Sequence, residues 1–232
     1  MSGAGEAVTE EHPCASDPSA GPPGESADDE RALGAPGASV VIISGPSGVG
    51  KDTIIEAMRR APRSDRHYVV TCTTRDMRWY EEDGVDYRFL TLEAFHALRD
   101  RGGFLEASEV HGNWYGTPRD QVAEALVSGK DAILKIDVTG ARAVRDVVPE
   151  ALLVFVVPPS LDELRRRLVG RDTEPSEALE RRWHNAAYEL LRQAEYDHVV
   201  VNHTGQADDT ADQIEAIIAA EHAAHPARRL RV

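Results

Sequence analysis

Lysine is almost missing from this chain. Only Lys51, Lys130 and Lys135 occur among 26 basic residues, and the other 23 are arginine. Where arginine is the default cation, each lysine invites a question about geometry. Cysteine is scarcer still: Cys14 and Cys72 cannot build a disulfide framework, and two free thiols in a reducing cytosol are expected. No stretch approaches the length of a membrane span, and the N-terminus lacks the basic and apolar regions of a secretory signal. A cytoplasmic protein without membrane contact is the expectation. Positive charge is in deficit, with a net −14, so a global footprint for nucleic acid is absent and any phosphate binding must come from local arginine clusters. None of the nine histidines has zinc spacing, including His222 and His225 near the C-terminus. Trp79, Trp114 and Trp183 are expected to pack rather than to stack on bases.

What is present is unevenly spread. Residues 1–38 hold eight acids (Glu6, Glu10, Glu11, Asp17, Glu25, Asp28, Asp29, Glu30) against Arg31, with abundant Gly, Pro, Ala and Ser. Such a segment buries too little apolar surface to offset its ordering entropy and is expected to be disordered. Order is expected over 39–225, with 226–232 a flexible basic tail carrying Arg228, Arg229 and Arg231. Ser39–Ser44 reads as a strand buried on both faces. Further strand patterns lie at Tyr68–Thr71, Ala132–Asp137, Leu152–Val157 and His198–Val201. Helical patterns run over Lys51–Ala61, Arg119–Ser128, Gly140–Val147, Ser160–Val169, Ser176–Ala194 and about Asp209–His222. This alternation predicts an α/β fold, a parallel sheet with helices on both faces. The segment 71–118, rich in Tyr, Trp, Arg, Glu and Gly, breaks the rhythm and reads as an insertion that carries specificity.

The strongest local signal is GPSGVGKDT, in which Gly45, Pro46, Ser47, Gly48, Val49, Gly50, Lys51, Asp52 and Thr53 stand between a buried strand and a helix. The spacing is that of a phosphate-binding P-loop: glycines turn backbone N–H groups inward, the helix N-terminus adds partial positive charge, and Lys51 reaches the β- and γ-phosphates. One position departs from the pattern. Asp52 stands where P-loops place the Ser or Thr that holds Mg²⁺, and a carboxylate can serve that ion instead.

With the P-loop in place, the chain from about 39 to 222 resembles guanylate kinase, a nucleoside monophosphate kinase family. The markers are TTR at Thr73–Arg75, Arg78, Glu81, GVDY at Gly84–Tyr87, FLE at Phe104–Glu106 and GNWYGTP at Gly112–Pro118. KIDVTGA at Lys135–Ala141, PPSLDEL at Pro158–Leu164 and RRLVGRDTE at Arg166–Glu174 follow in order. The resemblance implies transfer of the γ-phosphoryl group of ATP to GMP, with Mg²⁺, by a monomer or homodimer. It implies Arg167, Arg171 and Arg182 as lid arginines over the phosphates, the lid spanning 167–176, and adds Glu81 to the GMP site and Asn202 to the ATP site.

The residues make chemical sense on their own. Arg75, Arg78, Tyr87 and Tyr115 supply the cations and hydroxyls that a monophosphate needs. Guanine offers two N–H donors beside an acceptor, so Glu106 is its natural reader, with Asp137 assisting and Thr71 and Thr117 serving O6 or N7. A carboxylate left unpaired by adenine would discriminate against AMP.

Departures from the family are also visible. Met77, Trp79 and Tyr80 replace the usual Pro and Gly around Arg78, Asp172 stands where the lid commonly has Gly, and Lys135 stands where the family usually has an acid. Asp52 and Lys135 read together as an exchanged charge pair, because Lys135 shares a strand face with Asp137 and a cation in an apolar run needs a partner. An ion pair beside the Mg²⁺ site is one expectation, and two unrelated substitutions is the other. Two rival functions stay open: a ribose 1,5-bisphosphate kinase, which can also carry Asp after the P-loop lysine, and a non-catalytic interaction module.

Overall fold

The computed structural model describes residues 33–61, 65–110, 112–169 and 176–232, with side chains in 176–190 described from Trp183 onward. Its main sheet has five parallel strands: β1 (Val40–Ser44), β2 (Arg66–Tyr68), β7 (Asp131–Lys135), β8 (Leu152–Val157) and β9 (His198–Val201), in the order β2-β7-β1-β8-β9. The central place of β1 follows from its sequence. All five of its residues are buried, and the period of two sends Val40 and Ile42 into one core and Val41 and Ile43 into the other. The first core also holds Leu134, Val144 and Leu153. The second holds Ile54 and Met58 of α1 (Lys51–Arg60) with Ile214 and Ile218 of α7 (Ala207–Ala224). Each fully buried aliphatic side chain of this kind contributes about 1.5–3 kcal/mol relative to an exposed one.

The insertion is more regular than its composition suggests. It folds as β3 (Cys72–Thr73), β4 (Arg88–Phe89), α2 (Leu92–Asp100), β5 (Phe104–Val110) and β6 (Asn113–Pro118), with a second sheet in the order β4-β3-β6-β5. Helix α2, absent from the sequence reading, starts at Thr91, whose hydroxyl accepts from the Ala94 amide at 3.2 Å. Phe95 of α2 stacks on Phe104 at 4.5 Å between centroids, and with Cys72 they form a small core of their own. Burial pushes the Cys72 thiol up to about 11, which leaves it unreactive. Trp114 and Trp183 pack as expected, but Trp79 is 93% exposed, so the packing expectation fails there.

Helices α3 (Arg119–Val127), α4 (Val138–Val147), α5 (Leu161–Val169) and α6 (Ser176–Leu190) complete the chain. A 3₁₀ segment, Leu191–Glu195, takes the end of the Ser176–Ala194 helical pattern. The second strand is displaced towards the N-terminus, at Arg66–Tyr68 rather than Tyr68–Thr71. Two boundaries also move. Leu33 bridges Arg231, the Gly34 amide donates to the Leu230 carbonyl at 2.8 Å, and Leu230 and Val232 are buried in the first core. Residues 226–232 are therefore packed rather than free, because Leu230 and Val232 alternate with arginines and turn inwards. Arg228 holds Glu221 at 2.6 Å and Ser39 Oγ at 3.1 Å. Nearby, Arg66 pairs with Asp131 at 2.6 Å and Glu215 at 2.9 Å, all three side chains being almost fully buried. The acidic segment expected to be disordered lies, up to residue 32, outside the described residues. Among the described residues no helix is long and apolar enough to cross a membrane.

Leu230→Ala is expected to lower unfolding stability by about 2–4 kcal/mol, as for other buried leucines, in urea titrations. A loss below about 0.5 kcal/mol would mean that the C-terminal segment does not share the core.

Candidate active site

The C-terminal ends of parallel strands meet at one edge, and the chemistry collects there. Between β1 and α1 the backbone turns through Gly45 at φ 145° and Gly50 at φ 100°. A Cβ on Gly45 would lie 2.3 Å from the Val156 carbonyl oxygen, and one on Gly50 would lie 2.6 Å from Asn202 Nδ2. Only glycine fits either place. Gly50 gives α1 no side-chain cap, so the first amides of the helix are left to an anion. Asn202 braces the loop from behind: its Nδ2 donates to the Val49 carbonyl at 2.8 Å while its Oδ1 accepts from Thr210 at 3.1 Å. Pro46 and Val49 are buried, whereas Asp52 and Thr53 are exposed.

Lys51 Nζ donates to the carbonyls of Gly45 at 2.5 Å and Pro46 at 3.3 Å. Burial lowers its pKa, against the attraction of Glu189, Asp52 and Asp137. Glu189 was not foreseen. Its Oε2 accepts the Ser47 amide at 3.1 Å, so a carboxylate of α6 touches the cradle. That contact spans 142 residues of chain, which no local pattern encodes.

Of the three arginines that the resemblance assigns to a lid, the side chain of Arg167 is described. Its guanidinium donates to Glu163 at 2.9 Å, the Val49 carbonyl at 3.0 Å, and both the Asn202 carbonyl and Thr204 Oγ1 at 3.0 Å. It lies against the donor loop with its nitrogens directed at protein oxygens. Arg171 and the side chain of Arg182 lie outside the described residues.

A second group of polar residues stands on and beside the small sheet. Nη2 of Arg75 donates to both oxygens of Glu81, at 2.7 and 3.0 Å, Nη1 donates to the Asp76 carbonyl at 2.6 Å, and Tyr115 is close enough to act on the same guanidinium. The guanidinium lies 5.5 Å from the centroid of Tyr87, whose ring meets Tyr115 at 6.1 Å. Arg78 reaches Tyr80 at 3.2 Å with half of its side chain exposed. Thus Arg75, Glu81, Tyr87 and Tyr115 form one cluster, with Arg78 at its rim.

Strands β5 and β6 place Glu106 opposite Thr117, after a bulge between Phe104 and Glu106 that re-aims the chain. The Thr117 hydroxyl donates to Glu106 Oε1 at 2.8 Å. Glu106 Oε2 is buried and has no hydrogen-bond partner within the protein. Burial raises the carboxyl to about 7, with the Thr117 bond working against the rise and Asp137 adding to it. Asp137 caps α4 by accepting the Gly140 amide at 2.8 Å. Thr71 is buried and lines, with Asp52, Asp86 and Lys135, a cleft between α1 and the insertion. The expected ion pair forms: Lys135 Nζ lies 2.5 Å from Asp52 Oδ1.

This geometry sits beside a clear relationship to known proteins. The guanylate kinase family model matches residues 37–221. The chain belongs to the guanylate kinase family. A guanylate kinase from Mycobacterium sp. (strain MCS) is 49% identical over 166 residues, covering 70% of this chain and 83% of the relative. The crystal structure of guanylate kinase from Anaplasma phagocytophilum is 32% identical, with a TM-score of 0.65 over 82% of this chain and 88% of that one. The α/β fold and phosphotransfer class expected from the P-loop stand with the family.

The Glu106 environment gives a pH prediction. A carboxyl harder to ionise in the folded than in the unfolded chain contributes most while protonated, below about 4.5, and that contribution is lost as pH rises through about 7. Glu106→Gln should therefore match the parent in stability near pH 4.5 and exceed it at pH 8 by roughly 2–3 kcal/mol, an upper figure for so buried a group. Parallel urea stability curves for the two proteins across that range would contradict the burial of an unpaired carboxylate.

Proposed function

We propose that this enzyme transfers the γ-phosphoryl group of ATP to GMP, giving ADP and GDP, with donor and acceptor held by the two halves of the edge described above. The observation that carries the acceptor assignment is Glu106: a buried carboxylate with one oxygen on Thr117 and the other without a protein partner. An acceptor base offering adjacent N–H donors satisfies it, and guanine does so through N1–H and N2–H. Adenine does not, and would leave the carboxylate unpaired at a cost of several kcal/mol. Asp137 lies close enough to raise the Glu106 carboxyl and assists as a second acceptor. Thr71 and Thr117 remain our assignment for O6 or N7.

The GMP phosphate is assigned to Arg75, Arg78, Tyr87 and Tyr115, with Glu81 as the residue that orients Arg75. The ATP phosphates take the amides of residues 45–51 and the ammonium of Lys51, and Glu189 gives up the Ser47 amide to a phosphate oxygen. Asn202 holds the loop in shape from outside the nucleotide. Arg167, Arg171 and Arg182 remain our assignment for neutralising charge on the phosphates, and Arg167 starts from contact with the loop itself.

The donor chemistry of Asp52 suits Mg²⁺: a hard anionic oxygen in the first turn of α1, 60% exposed and beside the phosphate cradle. Asp52 would hold the ion together with the ATP phosphates, and the ion would supply neutralisation of the β- and γ-oxygens. Among the described residues no group of three or more carboxylate, histidine or cysteine side chains could hold a metal ion. We place the reaction in the cytoplasm.

A phosphotransfer assay with GMP, AMP and ribose 1,5-bisphosphate as acceptors tests this reading. GMP should be the substrate, and Glu106→Gln should lose about 100-fold or more in kcat/KM for GMP. Lys51→Met should lose about 100-fold or more in kcat. Turnover of ribose 1,5-bisphosphate in place of GMP, or an unaltered Glu106→Gln, would overturn the assignment.

A further inference from the structure

Lys135 is placed where neither half of the site claims it. It is the last residue of β7 and stands level with Ile43 of β1. Its ammonium is 2.5 Å from Asp52, the residue that follows the P-loop lysine, and 5.4 Å from the ring centroid of Tyr87 in the acceptor cluster. Arg75 approaches the same ring at 5.5 Å. Tyr87 thus lies against cations of both halves, and Lys135 is the one that also touches the donor helix. It lines the polar cleft that opens between α1 and the insertion, beside Thr71 and Asp86. The site contains a second ammonium, Lys51, which senses both Lys135 and Asp52. In a chain with three lysines, two stand at this one edge.

Lys135 stands between the Asp52 carboxylate and the Tyr87 ring and lines the same cleft as Asp86. Its side chain is 23% exposed while that of Asp52 is 60% exposed. The lysine is therefore the fixed member, and the carboxylate is the member that water can accommodate if it is displaced. An exposed partner of this kind contributes little to stability, so folding alone is a weak reason for the pair.

We propose that Lys135 is a further catalytic residue, its ammonium contacting the phosphoryl group in transit between donor and acceptor, and that Asp52 is its positioning residue. This deepens the phosphotransfer reading given above and rests on it. A phosphate oxygen of GMP forms the new bond to the γ-phosphorus, while the bond from that phosphorus to the β–γ bridging oxygen breaks and its electron pair leaves with ADP. Lys135 keeps its protons throughout and needs no co-reactant. It supplies a point charge where negative charge spreads over the equatorial oxygens. Before substrates arrive, Asp52 aims the ammonium into the cleft. Phosphate oxygens then compete with Asp52 for it.

The test compares the parent with Lys135→Met, Lys135→Arg, Asp52→Ser and the double variant Asp52→Ser/Lys135→Met. It reads kcat, calorimetric Kd for GMP, and melting temperature. Lys135→Met is expected to lose about 100-fold in kcat, with GMP affinity changed less than about threefold. Lys135→Arg should recover to within about tenfold of the parent, since it keeps the charge but not the shape. Asp52→Ser keeps an oxygen that can serve the ion, as in other P-loops, and should lose about tenfold; the double variant should be no slower than Lys135→Met, because what the serine removes acts through Lys135. The double variant leaves neither partner unpaired, so it keeps the test decisive if Lys135→Met alone fails to fold. Parental kcat in Lys135→Met or in the double variant would overturn the proposal, as would a loss confined to GMP affinity or melting temperature. A parent that fails to turn over GMP would remove the underlying reading instead.

Discussion

The five strands of the main sheet all run in one direction, and everything at the site depends on that shared polarity. A parallel sheet brings the C-terminal ends of β1, β7 and β8 to one edge, so the loop after β1 becomes a neighbour of Lys135 and the capping Asp137, more than 80 residues further along the chain. β1 occupies the middle because both of its faces are apolar. The chain must then leave the sheet abruptly after Ser44, through glycines that pass within reach of the Val156 carbonyl and the Asn202 side chain. The phosphate cradle follows from how β1 is buried.

The insertion obeys a different physics. There a small antiparallel sheet, with a core of Cys72, Phe95 and Phe104, carries polar groups that are held but incompletely satisfied. Arg75 is anchored through one nitrogen on both oxygens of Glu81, and Glu106 is held by Thr117 on one oxygen only. The difference is informative. A fully paired carboxylate such as Glu81 orients a neighbour, whereas a half-paired buried one is costly and calls for a ligand to complete it. Its raised ionisation expresses the same cost in protons.

Much of this was legible in the residues. β1, α1, β8 and β9 announce themselves by long apolar runs or by 3.6-residue periodicity, and the P-loop by its spacing. Even the Asp52–Lys135 pair could be anticipated, since Lys135 interrupts an apolar strand and a buried cation needs a partner. Other features were hidden for physical reasons. β3 and β4 are two residues long and have no period to read. The packed C-terminus rests on two apolar residues among arginines, paired with Leu33 at the far end of the chain. Glu189 on the P-loop and the Arg66–Asp131–Glu215 cluster exist only through contacts made in the fold. Trp79 shows the converse: an aromatic side chain suggests packing, yet this one faces solvent beside Arg78.

The account stands or falls on whether the buried carboxylate at the acceptor site is completed by GMP. Carboxyl-carbon NMR of selectively labelled glutamate, with Glu106 assigned by substitution and titrated with and without GMP, measures this directly. The account predicts half-ionisation near pH 7 in the free protein and a clear downward shift when GMP binds. An ordinary glutamate titration in the free protein, unmoved by GMP, would contradict it.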